Sequence, residues 1–218
     1  MNMIEAMEKR HMVRKYTDKK IEEDLIKKLN ERIDMLNKKF SVSMKLMIND
    51  NHAVGGIIKL LLAKGVRNYI ILAGNEEENL DKKLGYTGAD IMLYAQTLGL
   101  NTWWVGGTFN RGVAKFVNNK KVIGIIAIGY GQTQGVPHKS KTKNEVSNYD
   151  GDEPVWFKKG VEASLLAPTA LNKQDFMIKG HGNKVKLIND NGIFTGANYG
   201  LIAYHFELGA GKENFEWE

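Results

Sequence analysis

Cysteine is absent from the 218 residues, which excludes disulfides, thiolate metal sites and cysteine nucleophiles together and fits a reducing compartment. Long apolar runs are absent too. The longest, NYIILAG and VIGIIAIGYG, fall far short of the roughly 20 residues a membrane helix needs. The first residues, MNMIEAMEKR, carry charge where a signal peptide is apolar, so a cytoplasmic protein is expected. No GxxxxGK[ST] phosphate loop, no GxGxxG opening a helix, no HExxH and no GxSxG elbow occurs. The five histidines, His11, His52, His138, His181 and His205, lack ligand-like spacing, so no metal site is expected. His205, within the last apolar helix, reads as a packed core histidine.

What is present suits one sizeable core or two small ones: 43% of residues are hydrophobic. Lysine and arginine number 31 against 25 acidic residues, a net charge of +6 that favours anions. The cations are spread along the chain. The one dense cluster, PHKSKTKNE at 137–145, lacks the interleaved aromatics of a single-strand binder, so a cofactor-free nucleic-acid protein is a weak alternative.

Spacing predicts a helix over 3–14, with Ile4 and Met7 on one face and Arg10 and Arg14 a turn apart at its end. In IEEDLIKKLNERIDML the positions Ile21, Leu25, Ile26, Leu29, Ile33 and Leu36 follow helical spacing, with acidic residues in the first turn. SMKLMIND suggests a short strand, NYIILAG a strand buried on both faces, and GADIMLYAQTLGL a helix apolar almost all round, the spine of a core. A short helix at NRGVAKFV, a buried strand at VIGIIAIGYG and a polar stretch from 131 to 154 follow. Then come a helix at WFKKGVEASLLA, a hairpin of QDFMIKG and KVKLIND around HGN, a last helix at NYGLIAYHFELGAG, and FEW.

Two echoes recur in the same order. KLMINDN at 45–51 resembles KLINDNG at 186–192, and TGADIMLYAQTLGL with its downstream WW resembles TGANYGLIAYHFELGA with its downstream W. They suggest a duplicated unit, a strand feeding a core helix, with about 35 extra residues in the first copy. The expected organisation is a first half at 1–135, a linker at 136–153 and a stripped second half at 154–218, related by a pseudo-twofold axis between the core helices.

Three features carry chemistry. RHMVRKY, 10–16, sets two arginines and a histidine where they can fork onto a phosphate, or simply form a solvated basic end. WWVGGTFN brings paired glycines that admit a flat ligand close to the backbone, or make a plain turn. In LLAPTALNKQDF, Pro168 fixes a bend, Thr169 and Asn172 offer hydrogen bonds, and Ala170 leaves room.

Together these resemble the FMN-dependent nitroreductase family. RHMVRKY is similar to its R-[RH]-S-x-R-x-[FY] motif, with Met12 in place of serine. APTALNKQDF is similar to its A-P-S-x-x-N-x-Q-P-W loop, with Thr169 for serine and Asp175-Phe176 for Pro-Trp. YAQTLGLNTWWVGG follows its core helix and glycine pair, and IIAIGYG with PHKSK its later strand and basic stretch. In the family the proline loop lies near the N-terminus and reaches the partner subunit's flavin; here it lies in the second half.

The resemblance implies an α+β nitroreductase-like fold, an antiparallel-rich sheet packed by helices, with two pseudo-symmetric halves around a pair of core helices. One chain would form a monomeric pseudo-dimer, or pair again as a homodimer, with one FMN between the halves. It implies phosphate contacts from Arg10, His11 and Arg14, a backbone contact at Met12, and help from His138, Lys139 or Lys141. Pro168, Thr169, Ala170 and Asn172 would line the flavin ring, and a backbone N–H of Gly106 or Gly107 would face its N5. The implied activity is reduction of nitro, quinone or similar electron-poor acceptors with NAD(P)H, needing no catalytic side chain. A flavin binder with specialised or no turnover is the alternative, made credible by the missing serine and Pro-Trp pair.

Overall fold

The computed structural model describes residues 1–54, 63–189 and 191–218. Helix α1 (Met3–Lys9) opens on a capping box, in which the Asn2 side chain accepts from the Glu5 backbone N–H and the Glu5 carboxylate from that of Asn2. It ends earlier than the expected helix over 3–14. From Arg10 the chain is extended, because Val13 donates to the Thr102 carbonyl and Tyr16 to that of Lys64. Arg10 and Arg14 therefore sit on an extended segment rather than a turn apart on a helix.

Helix α2 (Glu23–Phe40) buries Leu29, Ile33 and Leu36 and stops at Ser41, which adopts a left-handed φ of 55°. Beyond it, strands β1 (Lys45–Met47) and β2 (Tyr69–Gly74), helix α3 (Leu80–Thr97), and strands β3 (Asn101–Val105) and β4 (Lys121–Gly129) make the first layer pair. The sheet runs β1-β2-β4-β3 and is antiparallel throughout. β2 is buried at every position, as its unbroken apolar run requires. α3 begins two turns before the expected helix and is buried on nearly every side.

The polar stretch read as a linker contains a short helix, α4 (Lys143–Val146), and a strand, β5 (Ser147–Asp150). Helix α5 (Val155–Ser164), the hairpin β6 (Phe176–His181) and β7 (Lys184–Asn189), helix α6 (Thr195–Ala210) and β8 (Glu216–Trp217) complete the chain. Their sheet runs β5-β6-β7-β8, with an antiparallel centre and parallel outer pairs. The hairpin forms as expected, turning at Gly182 with φ +55°, although Asp190 lies outside the described residues.

α3 and α6 pack backbone to backbone. A Cβ on Gly85 would overlap the Ala197 carbonyl, and one on Gly200 would overlap the Lys82 carbonyl. Across this contact Asp90 of α3 takes a bidentate pair from Arg32 of α2, at 2.7 and 2.6 Å, and the Tyr204 hydroxyl of α6 at 3.0 Å. Glu207 of α6 accepts from the Tyr86 hydroxyl at 2.6 Å and from Trp217 Nε1 at 2.9 Å.

Topology revises the first echo. The unit α2-β1-β2-α3-β3 has the same order as α5-β6-β7-α6-β8: in each, an antiparallel hairpin follows a helix and its second strand feeds a core helix. β3 runs parallel to β2 with β4 between them, whereas β8 pairs directly and in parallel with β7. The equivalent of β7 is thus β2 rather than β1, so the match of 45–51 to 186–192 is one strand out of step. Among the described residues the second unit has no counterpart of β4. Among the described residues no helix is long and apolar enough to cross a membrane.

Candidate functional site

Arg10 follows directly on α1 and is drawn inward by the extended segment behind it, leaving the residue only 5% exposed. Burial lowers its guanidinium to about 10. Among the described residues no carboxylate pairs with it, and its Nε is enclosed without a hydrogen-bond partner. His11, half-buried next to it, is lowered by burial and then by the charges of Arg10 and His138. Arg14 lies with its guanidinium 5.4 Å from the Trp103 ring centre, and its Nε is also enclosed and unpartnered. Met12 is 48% exposed, and its backbone bridges to Thr102 of β3. The segment thus buries the Arg10 cation with no carboxylate to answer it among the described residues, which costs several kcal/mol unless an anion joins it.

The basic stretch docks on this segment. Gly135, at φ +75°, leaves no room for a Cβ, which would meet the His11 Cβ and the Met12 carbonyl oxygen, each at 2.8 Å. His138 Nε2 lies 2.9 Å from the Leu165 carbonyl, so that nitrogen carries the proton and donates. Lys139 is exposed. Lys141 is turned away, its Nζ donating to the Gln174 carbonyl and pairing with Asp175, both at 3.0 Å.

The proline loop meets the same stretch from the other side. Asn172 Nδ2 donates to the Lys139 carbonyl at 2.6 Å, and the Ala170 N–H donates to Asn198 Oδ1 of α6 at 2.9 Å. Thr169 is buried and its hydroxyl accepts from the Gln174 N–H at 3.3 Å; Pro168 beside it is half-buried. Leu171, Asn172 and Gln174 have φ of 54°, 54° and 51°, a backbone that costs non-glycine residues about 1–3 kcal/mol each and persists only where surroundings enforce it.

Gln174 does the enforcing, and sequence reasoning passed over it. At 1% exposure, its Oε1 accepts from the Lys141 N–H at 2.7 Å while its Nε2 donates to the Leu165 carbonyl at 3.0 Å. The Q of the loop motif was the available signal. Phe194, at the start of α6, was also missed: its ring lies 2.9 Å from where a Gly106 Cβ would be and 3.7 Å from that of Gly107. The glycine pair therefore faces α6, whose Asn198 holds the loop. Gly135 of the basic stretch packs on His11 and Met12, Asn172 ties the proline loop to that stretch at Lys139, Ala170 is held by Asn198 of α6, and Gly106 and Gly107 face Phe194 at the start of α6. An open groove of about 330 Å³ elsewhere, between Asn37, Ser43 and Lys45 and Phe116 and Lys120, contains none of these residues. Among the described residues no cluster of metal-ligating side chains occurs.

Residues 2–210 match the family described as "Putative TM nitroreductase". The chain belongs to this nitroreductase family, a family of oxidoreductases. Three solved structures described as putative nitroreductases share the fold. One from Thermotoga maritima is 22% identical, with a TM-score of 0.69 over 98% of this chain and 85% of that one. One from Desulfovibrio desulfuricans, crystallised with FMN, is 17% identical, with a TM-score of 0.54 over 71% and 98%. One from Exiguobacterium sibiricum, also with FMN, is 13% identical, with a TM-score of 0.52 over 66% and 95%. No curated protein matches the sequence.

Proposed function

We propose that the chain binds one FMN between its halves, 1–135 and 154–218, and reduces nitro, quinone or related electron-poor acceptors with NAD(P)H. The observation that carries this reading is Arg10, a buried cation with no acidic partner among the described residues, next to His11. A phosphate is the ligand that suits it: dianionic, and able to take charge-assisted bonds from Arg10 and Arg14 together. FMN is the phosphate-bearing group found in the Desulfovibrio and Exiguobacterium relatives. His11, Lys139 and the backbone at Met12 would add to the phosphate contacts, while Lys141 serves the loop instead. When bound, FMN supplies hydride transfer through its N5.

The protein's share of the work is position and exclusion of water. Pro168, Thr169, Ala170 and Asn172, braced by Gln174 and Asn198, would border the ring, and a backbone N–H of Gly106 or Gly107 would hold its reactive edge. In this reading the second half replaces a partner subunit, giving a monomeric pseudo-dimer or a homodimer of such chains. The test is steady-state oxidation of NADH and NADPH by the purified chain with a nitroaromatic or a quinone. Parallel double-reciprocal lines, the mark of a ping-pong sequence, are expected; a flavin-loaded protein that oxidises neither nucleotide would overturn the turnover claim.

One observation favours a narrower activity. The Phe194 ring lies against Gly106, so a flat acceptor must displace it or stack beside it. Retention of FMN with no turnover of common acceptors would select the specialised or non-catalytic flavin protein.

A further inference from the structure

His205 lies on α6, in the second half of the chain, and is 1% exposed. Its Nδ1 is 2.7 Å from the Leu201 carbonyl one turn earlier, an acceptor only, so Nδ1 carries the proton. Burial, then the charges of Arg10 and His138, lower the ring to about 3, so it is neutral at any ordinary pH. Its Nε2 is therefore a bare acceptor, and it is enclosed without a partner. Arg10 presents the complement: an enclosed Nε–H with no acceptor. Arg10 follows directly on α1, α1 packs against α6, and both residues are buried, so the two unmet groups lie at this helix contact. Buried polar groups are almost always satisfied, by ordered water where protein cannot reach.

We infer that His205 is a positioning residue for the phosphate site: through ordered water held between its Nε2 and the Nε–H of Arg10, it fixes the guanidinium so that its two outer nitrogens are presented to the phosphate. The inference rests on the FMN reading above. It also gives the second half a role at the phosphate end of the flavin, in addition to the ring contacts of the proline loop. His205 touches no reacting atom and moves no proton.

The discriminating readout is the phosphate itself, which FMN has and riboflavin lacks. The full chain and its His205→Phe and His205→Gln variants are titrated with FMN and with riboflavin, following flavin fluorescence. Phe keeps the ring's bulk without the acceptor; Gln keeps an acceptor. His205→Phe should weaken FMN about 10- to 150-fold, the scale of one hydrogen bond to a charged group, and leave riboflavin within about twofold; Gln should recover most of the loss. Equal losses for both flavins mean a structural role only, and an unchanged FMN-to-riboflavin ratio removes His205 from the site; either result overturns the inference. A wild-type chain that binds neither flavin overturns the FMN reading itself. Should the Phe variant fail to fold, a crystal structure of the wild-type chain decides: ordered water bonded to both Arg10 Nε and His205 Nε2 supports the inference, and its absence or another acceptor on Arg10 Nε defeats it.

Discussion

Replacing Arg10 by methionine should make the flavin-free protein more stable while weakening its hold on FMN. Burial moves the guanidinium down from the ordinary arginine range to about 10. At about 1.4 kcal/mol per pH unit, that is roughly 3 kcal/mol by which the charged side chain opposes folding at neutral pH, at order-of-magnitude precision. The sign follows from proton uptake: the unfolded chain holds this proton more tightly, so the folded state is disfavoured wherever the arginine is charged. Methionine removes the charge, fills similar length with apolar atoms, and makes no demand on the enclosed hydrogen-bonding position at Nε. Urea unfolding of the flavin-free chain should then show a gain of about 1–3 kcal/mol, or roughly 3 °C in Tm per kcal/mol for a chain of this size. FMN titration should show the opposite, a loss of about 1.5–3 kcal/mol in binding. Added FMN at a hundred times its Kd should stabilise the wild type by about 2.7 kcal/mol and the variant by much less. A variant destabilised by more than about 1 kcal/mol without flavin would refute the reasoning, because it would mean that the Arg10 charge is already compensated in the flavin-free fold.

Other consequences follow from the same geometry. Arg14→Ala should weaken FMN by about 1.5–3 kcal/mol in the same titration, and unchanged affinity would remove this arginine from the site. Arg32→Met leaves the buried Asp90 with only the Tyr204 hydroxyl among its described partners, and should cost about 3 kcal/mol in urea unfolding. Gly200→Ala drives a methyl into the Lys82 carbonyl across the α3–α6 contact and should lower stability by about 3 kcal/mol or more; a fully stable variant would contradict the close approach of the two helices. His205 stays neutral in the folded chain down to about 3 but takes a proton near 6.5 when unfolded, so its contribution is lost progressively as pH falls from about 6.5 toward 3. Wild type should therefore lose more stability over that range than His205→Phe.

Much of the fold is legible from periodicity, because α2, α3, β2 and β4 are long elements whose apolar pattern is also their burial pattern. The end of α1 is not. Nothing local stops that helix at Lys9; backbone bonds to Thr102 and Lys64, far along the chain, pull 10–16 straight. β5 escaped notice for a different reason: it is an edge strand alternating half-buried and exposed polar residues, so it pairs without an apolar signal. The first echo matched two short strands of generic composition, and only the pairing order shows which strand feeds which helix. At the site, the arginines, the glycine pair and the proline loop were readable as motifs. The burial of Arg10 was not, since RHMVRKY reads equally well as a solvated helix end. Gln174 was visible but its role was not, because its partners Lys141 and Leu165 lie 33 and 9 residues away.

Native mass spectrometry of the chain, purified without added cofactor and then reconstituted, addresses the central claim most directly. One FMN retained per chain in the wild type, and lost or sharply reduced in Arg10→Met, is the expected result. A chain that carries no flavin and takes none up, or an Arg10→Met variant that holds FMN as firmly as the wild type, would contradict it.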